Sequence, residues 1–120
     1  MNDGLNLQRL ASHLTTDELD VLRAVKKALA QVLSGRGFRI FLFGSKARGD
    51  FDSNSDLDLA VIVDGLDRQT KHVVFDAVAD VELQYLMPVS ALVLSSEEFR
   101  LLQERERRIA LDISAEGIPL

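Results

Sequence analysis

A chain of 120 residues, 47% apolar and 28% charged, is long enough for one domain with its own core and too short for two. It has no cysteine, which excludes disulfide frameworks, thiolate metal sites, iron–sulfur clusters and cysteine nucleophiles, and its net charge of −5 gives no overall attraction for a nucleic-acid backbone or an anionic membrane. No apolar run approaches the ~18 residues of a membrane span, and the opening Met1 to Gly4 holds Asp3 where a leader peptide would be basic. The expectation is a single cytoplasmic domain over residues 1–120, with no membrane and no direct nucleic-acid contact.

Leu7, Leu10 and Leu14 suit a short helix over Leu5 to Leu14. Thr15 and Glu18 have capping-box spacing, and Leu19, Leu22, Val25, Leu29 and Val32 then recur at helical steps before Gly35. After the turn Gly35-Arg36-Gly37, the aromatic and β-branched run Phe38 to Phe43 predicts a strand stopped by Gly44. Ser45 to Arg48 opens a short helix, and Gly49 to Ser55 is dense in turn formers and predicts a loop. Asp56 to Val63 begins with carboxylate alternating with leucine and becomes wholly apolar, as a strand buried on both faces does.

Val74, Ala77, Val78, Val81 and Tyr85 place a long helix between Asp67 and Met87, closed by Pro88. Val89 to Leu94 is a third strand, and Ser95 with Glu98 caps a following helix through Phe99, Leu101 and Leu102. The mixed charges of Glu104 to Arg108 are expected on a solvated face of that helix, with Ile109 and Ile113 inward and Gly117 near the stop. This order predicts a small α/β (α+β) domain: a mixed sheet of three to four strands flanked by helices. His13 and His72 are isolated, and Arg105, Arg107 and Arg108 alternate with glutamates, so neither group marks a site.

Chemistry concentrates between Phe43 and Leu59. Gly44 and Ser45 stand where a strand passes into a helix start; glycine admits a phosphate closely and the serine hydroxyl adds a donor. Asp56 and Asp58, two apart on a strand, point to one face with Cα atoms about 6.5–7 Å apart, an arrangement of hard oxygen donors suited to magnesium shared with substrate phosphates. Lys46 and Arg48 add local positive charge beside the phosphate position.

Gly44-Ser45, then Asp56-Leu57-Asp58, with Ala47-Arg48-Gly49 and Ser55 between, resembles the signature of the polymerase-beta-like nucleotidyltransferase superfamily, specifically its minimal nucleotidyltransferase domains. The resemblance implies that Gly44 and Ser45, with Lys46 and Arg48 beside them, bind ATP or another nucleoside triphosphate. It implies that Asp56 and Asp58 hold two magnesium ions while a nucleoside monophosphate, commonly AMP, passes to an acceptor hydroxyl of a partner protein or small molecule. It also implies a separate small helical partner protein, as in toxin–antitoxin modules. Active members carry a third carboxylate on the next core strand, as metal ligand and base; the predicted strand Val89 to Leu94 has none, and Glu82, with Asp80 as the other choice, is the candidate substitute. If no carboxylate fills that role, the alternative is a catalytically impaired, nucleotidyltransferase-like binding protein acting as an antitoxin or regulatory subunit.

Overall fold

A computed structural model describes residue 10, residues 14–49 and residues 56–120. In chain order its elements are α1 (Thr16–Val32), β1 (Phe38–Phe43), α2 (Ser45–Arg48), β2 (Leu57–Val63), α3 (Arg68–Tyr85), β3 (Val89–Ser95), α4 (Ser96–Glu104), α5 (Arg108–Glu116) and β4 (Ile118–Pro119). Most of the expected helix Leu5 to Leu14, His13 and residues 50–55 of the expected loop lie outside the described residues. Leu10, which is described, is fully buried.

Helix starts follow their local chemistry. The Thr15 N–H donates to Glu18 Oε1 at 2.9 Å and the Glu18 N–H to Thr15 Oγ1 at 3.1 Å, closing the capping box of α1. Ser95 and Glu98 repeat the device for α4. Asp67 caps α3 by accepting from the Thr70 N–H at 2.7 Å.

The sheet order is β3-β2-β1-β4, with β1 antiparallel to both β2 and β4 and β2 parallel to β3 across the α3 crossover. Odd-numbered β2 residues Leu57, Leu59, Val61 and Val63 pack with Leu22, Val25 and Leu29 of α1 and Val74, Val78 and Val81 of α3. Even-numbered Ala60 and Ile62 pack on the other face with Phe99 of α4 and Ala110 and Ile113 of α5. Helices therefore cover both faces, and β2 is buried on both, as its apolar run predicts.

Three details depart from the sequence reading, and a fourth, β4, completes the expected three to four strands. The mixed-charge stretch is not one helix face: Glu106 takes a left-handed φ of 53°, and the chain turns there between α4 and α5. α3 ends at Tyr85, ahead of Pro88, because Leu86 adopts φ 52°, ψ 42° while its N–H still reaches Glu82 O. Val32, Tyr85 and Leu101, expected inward, are exposed. A two-residue strand, β4, adds to the edge of β1, with Phe41 opposite Pro119 and Leu42 opposite Ile118; proline is admitted because the position is an edge.

Candidate active site

β1 and β2 converge where the phosphate and carboxylate motifs meet. Phe43 pairs with Asp58 in the antiparallel register, so the next residue, Gly44, turns directly against the Asp58 carboxylate. Gly44 has φ 75°, ψ −158°, backbone that side chains other than hydrogen seldom adopt. A Cβ there would stand 2.6 Å from Asp58 Oδ2. Glycine is thus required twice, for its conformation and for the close approach. Gly44 O then accepts from the Ala47 and Arg48 N–H groups, both at 3.1 Å, and Gly49 closes the turn with its N–H on Ser45 O at 2.8 Å.

Asp58 shares the even-numbered parity of Ala60 and Ile62 and so faces the α4/α5 side of the sheet, half-buried, with Asp56 exposed at the mouth of the strand. Burial, and then the negative charge of Asp56, push the Asp58 carboxyl above the usual aspartate range; the Arg48 guanidinium opposes the shift. Arg48 is itself exposed and pairs with Glu116 of α5 at 3.1 Å. Two carboxylates on one face and beside a glycine turn form a donor set that suits a hard divalent cation sharing its remaining positions with water or phosphate oxygens.

The other two candidates lie elsewhere. Lys46 does not reach toward the carboxylates: it is only 4% exposed, and its Nζ stands 2.5 Å from Glu18 Oε2 of α1. The reason is the short helix's geometry, which turns Lys46 and Ala47 inward together. Glu82 sits on α3, across the sheet from the Asp58 face, and its Oε2 accepts from the Val89 N–H at 3.0 Å, tying the helix end to the start of β3. Among the described residues no group of three or more Asp, Glu, His or Cys side chains is gathered for a metal. β3 carries no carboxylate, and the residue level with Asp58 on it is Ser90, exposed on the same face. Glu18 is the residue that the motif did not reveal: its sequence signal is a helix cap, and only the fold brings it to Lys46.

Comparison with known proteins identifies the family. The family model described as a nucleotidyltransferase domain matches residues 22–113, from within α1 through most of α5. Two proteins of Methanocaldococcus jannaschii, both provisionally named protein adenylyltransferases, are similar. One is 38% identical over 45 residues, an alignment spanning 38% of this chain and 46% of that protein, under half its length. The other is 34% identical over 87 residues, 69% of this chain and 79% of the relative. A crystal structure of a provisionally named nucleotidyltransferase from Sulfolobus solfataricus aligns over 88% of this chain and 86% of its own with 18% identity and a TM-score of 0.46, too loose a likeness to bear on function. With the family model covering more than half of its length, the chain belongs to the nucleotidyltransferase domain family.

Proposed function

We propose that this domain transfers a nucleoside monophosphate, AMP from ATP, to a hydroxyl of a partner protein or small molecule. The observation that carries the proposal is the close approach of the Gly44 turn to Asp58, which sets the backbone of a glycine turn directly against the face that carries both carboxylates. In the reaction the acceptor oxygen bonds to the α-phosphorus, the bond from that phosphorus to the bridging oxygen breaks, and pyrophosphate leaves. Gly44 and Ser45 hold the triphosphate, and Arg48 offsets its charge from the rim. Asp56 and Asp58 hold magnesium, two ions in the full site, which supplies charge neutralisation on the transferring phosphate and its leaving group. The AMP donor and a protein acceptor are favoured by the two archaeal relatives named as protein adenylyltransferases. The small helical partner expected from the family resemblance is the candidate protein acceptor, and a cytoplasmic setting supplies both ATP and magnesium.

Titration calorimetry with ATP and magnesium tests the site. Wild type binds, and Asp56→Asn/Asp58→Asn binds at least about tenfold more weakly when magnesium is present; equal magnesium-dependent affinities would refute the two-carboxylate site.

One observation favours a second reading, a nucleotide-binding protein that no longer transfers and acts as an antitoxin or regulatory subunit. β3 presents Ser90 level with Asp58, with no carboxylate on the strand. General-base catalysis is worth about 10²–10⁴ in rate, so its loss would spare binding. Label passing from α-labelled ATP to a candidate partner identifies the enzyme; tight ATP binding without transfer to any candidate identifies the binder.

A further inference from the structure

Glu18 and Lys46 are the two buried charged residues among those described, 7% and 4% exposed, and neither belongs to the carboxylate face. We propose that Glu18 is a positioning residue: acting through Lys46, it fixes the Gly44–Ser45 turn in the conformation that receives the nucleotide. The proposal rests on the reading of that turn as the triphosphate site.

The argument begins with how little holds the turn on its own. α2 is four residues long, a single hydrogen-bonded turn, and such a segment does not sustain its own geometry in water. Its conformation must come from outside contacts. Ala47 enters the core, Arg48 reaches Glu116 at the exposed rim, and Lys46, directly after Ser45, sends its ammonium to Glu18 Oε2 at 2.5 Å. Glu18 is well placed to be the fixed end of this strut. Its other oxygen, Oε1, accepts from the Thr15 N–H at 2.9 Å, so the carboxylate is held from both sides. The 17-residue α1 behind it is anchored by Val21, Leu22, Val25 and Leu29, all fully buried.

Burial alone would raise the Glu18 carboxyl, but the Lys46 ammonium and the Thr15 groups outweigh it and hold the carboxyl below the usual glutamate range. The carboxylate is therefore charged at neutral pH, as the strut requires. A buried ion pair is a poor source of net stability, since well-packed apolar residues in its place are often as stable. What such a pair supplies that an apolar contact does not is a directional constraint between two defined atoms. Here that constraint falls one residue from Ser45 and two from Gly44.

The double variant Glu18→Gln/Lys46→Met separates positioning from stability, because glutamine keeps an acceptor for the Thr15 N–H and methionine fills the lysine's path. Expected are ATP–magnesium binding about tenfold weaker than wild type, a melting temperature within about 3 °C of it, and shifted Gly44 and Ser45 amide resonances before any nucleotide is added. ATP affinity within about twofold of wild type, wherever those amides stand, would overturn the proposal and leave the pair a structural contact. Should the double variant fail to fold, Glu18→Asp, which keeps the counter-charge for Lys46 but shortens its reach, carries the same comparison, with a smaller loss expected and the same null result decisive. A wild-type protein that binds no ATP is a different outcome: it refutes the nucleotide reading, and the positioning role with it.

Discussion

Replacing Gly44 by alanine is the sharpest test of the site's geometry, because the cost can be built from two separable causes. The first is backbone: at φ 75°, ψ −158° a residue with a Cβ is strained by on the order of 1–3 kcal/mol. The second is the contact with Asp58. The new methyl would stand 2.6 Å from Oδ2, so restoring the 3.4 Å of an ordinary contact moves the carboxylate by 0.8 Å, the difference of the two distances. Displacing a side chain off its rotamer to that extent costs about 0.5–1.5 kcal/mol. Together the penalty is about 1.5–4.5 kcal/mol, a large share of the 5–15 kcal/mol that holds a typical domain together. At roughly 4 °C per kcal/mol for a chain of this length, the melting temperature should fall by about 6–18 °C.

Urea unfolding of three variants resolves the two causes. Gly35→Ala supplies the reference: φ there is 81° but no atom lies within 4 Å of the added Cβ, so only a left-handed backbone cost of about 1–2 kcal/mol applies. In Gly44→Ala/Asp58→Ala the carboxylate is gone and the nearest remaining atom, Asp58 Cβ, is 3.4 Å away, so the contact cost should vanish while the backbone cost stays. The difference between Gly44→Ala measured with and without Asp58 is therefore expected at about 0.5–1.5 kcal/mol. If Gly44→Ala costs no more than Gly35→Ala, or if removing Asp58 relieves nothing, the close approach of the turn to the carboxylate is refuted.

Two further predictions concern the carboxylates. Since burial and Asp56 raise the Asp58 carboxyl in the folded chain, its ionised form opposes folding, and metal-free Asp58→Asn should melt higher than wild type at pH 7. That advantage should shrink as pH falls through the raised folded value toward the ordinary aspartate range, where wild type is protonated as well; thermal melts with a chelator present, showing an advantage that is constant with pH, would contradict it. Glu82→Ala removes the acceptor for the Val89 N–H and should cost about 1–3 kcal/mol in urea unfolding, with ATP–magnesium affinity within about twofold of wild type in calorimetry. A larger loss of affinity in folded Glu82→Ala would bring Glu82 into the site.

What the sequence disclosed and what it withheld divide along range. Thr15 with Glu18, Ser95 with Glu98, and the unbroken apolar run of β2 are signals contained within a few residues, and each element they announce is present. The Gly44-Ser45 and Asp56-Leu57-Asp58 motifs are legible for the same reason, and β1 and β2, with only α2 and one loop between them, pair in the register that joins the two motifs. Lys46 departs from the phosphate side because its partner is Glu18, which precedes it by most of α1 and all of β1, beyond the range of any local signal. The break at Glu106 carries no glycine or proline to mark it, and β4 is too short for any periodicity. Tyr85 and Val32 kept helical spacing yet stayed exposed, since spacing fixes a face and not whether anything covers it.

The site also gives the chain's acidity a specific meaning. A net charge of −5 repels a triphosphate, and Arg48, whose charge acts on Asp58, is exposed and engaged with Glu116, so it offers little compensation. Lys46, the other cation of the motif, is committed to Glu18 inside the fold. On the proposed function, with both basic residues so occupied, a nucleotide would meet Asp56 and Asp58 in company with positive charge that it brings itself, and the metal–nucleotide complex, not the free nucleotide, is the species expected there. The repulsion that Asp56 exerts on Asp58 would then be relieved by the same cation that brings the nucleotide in.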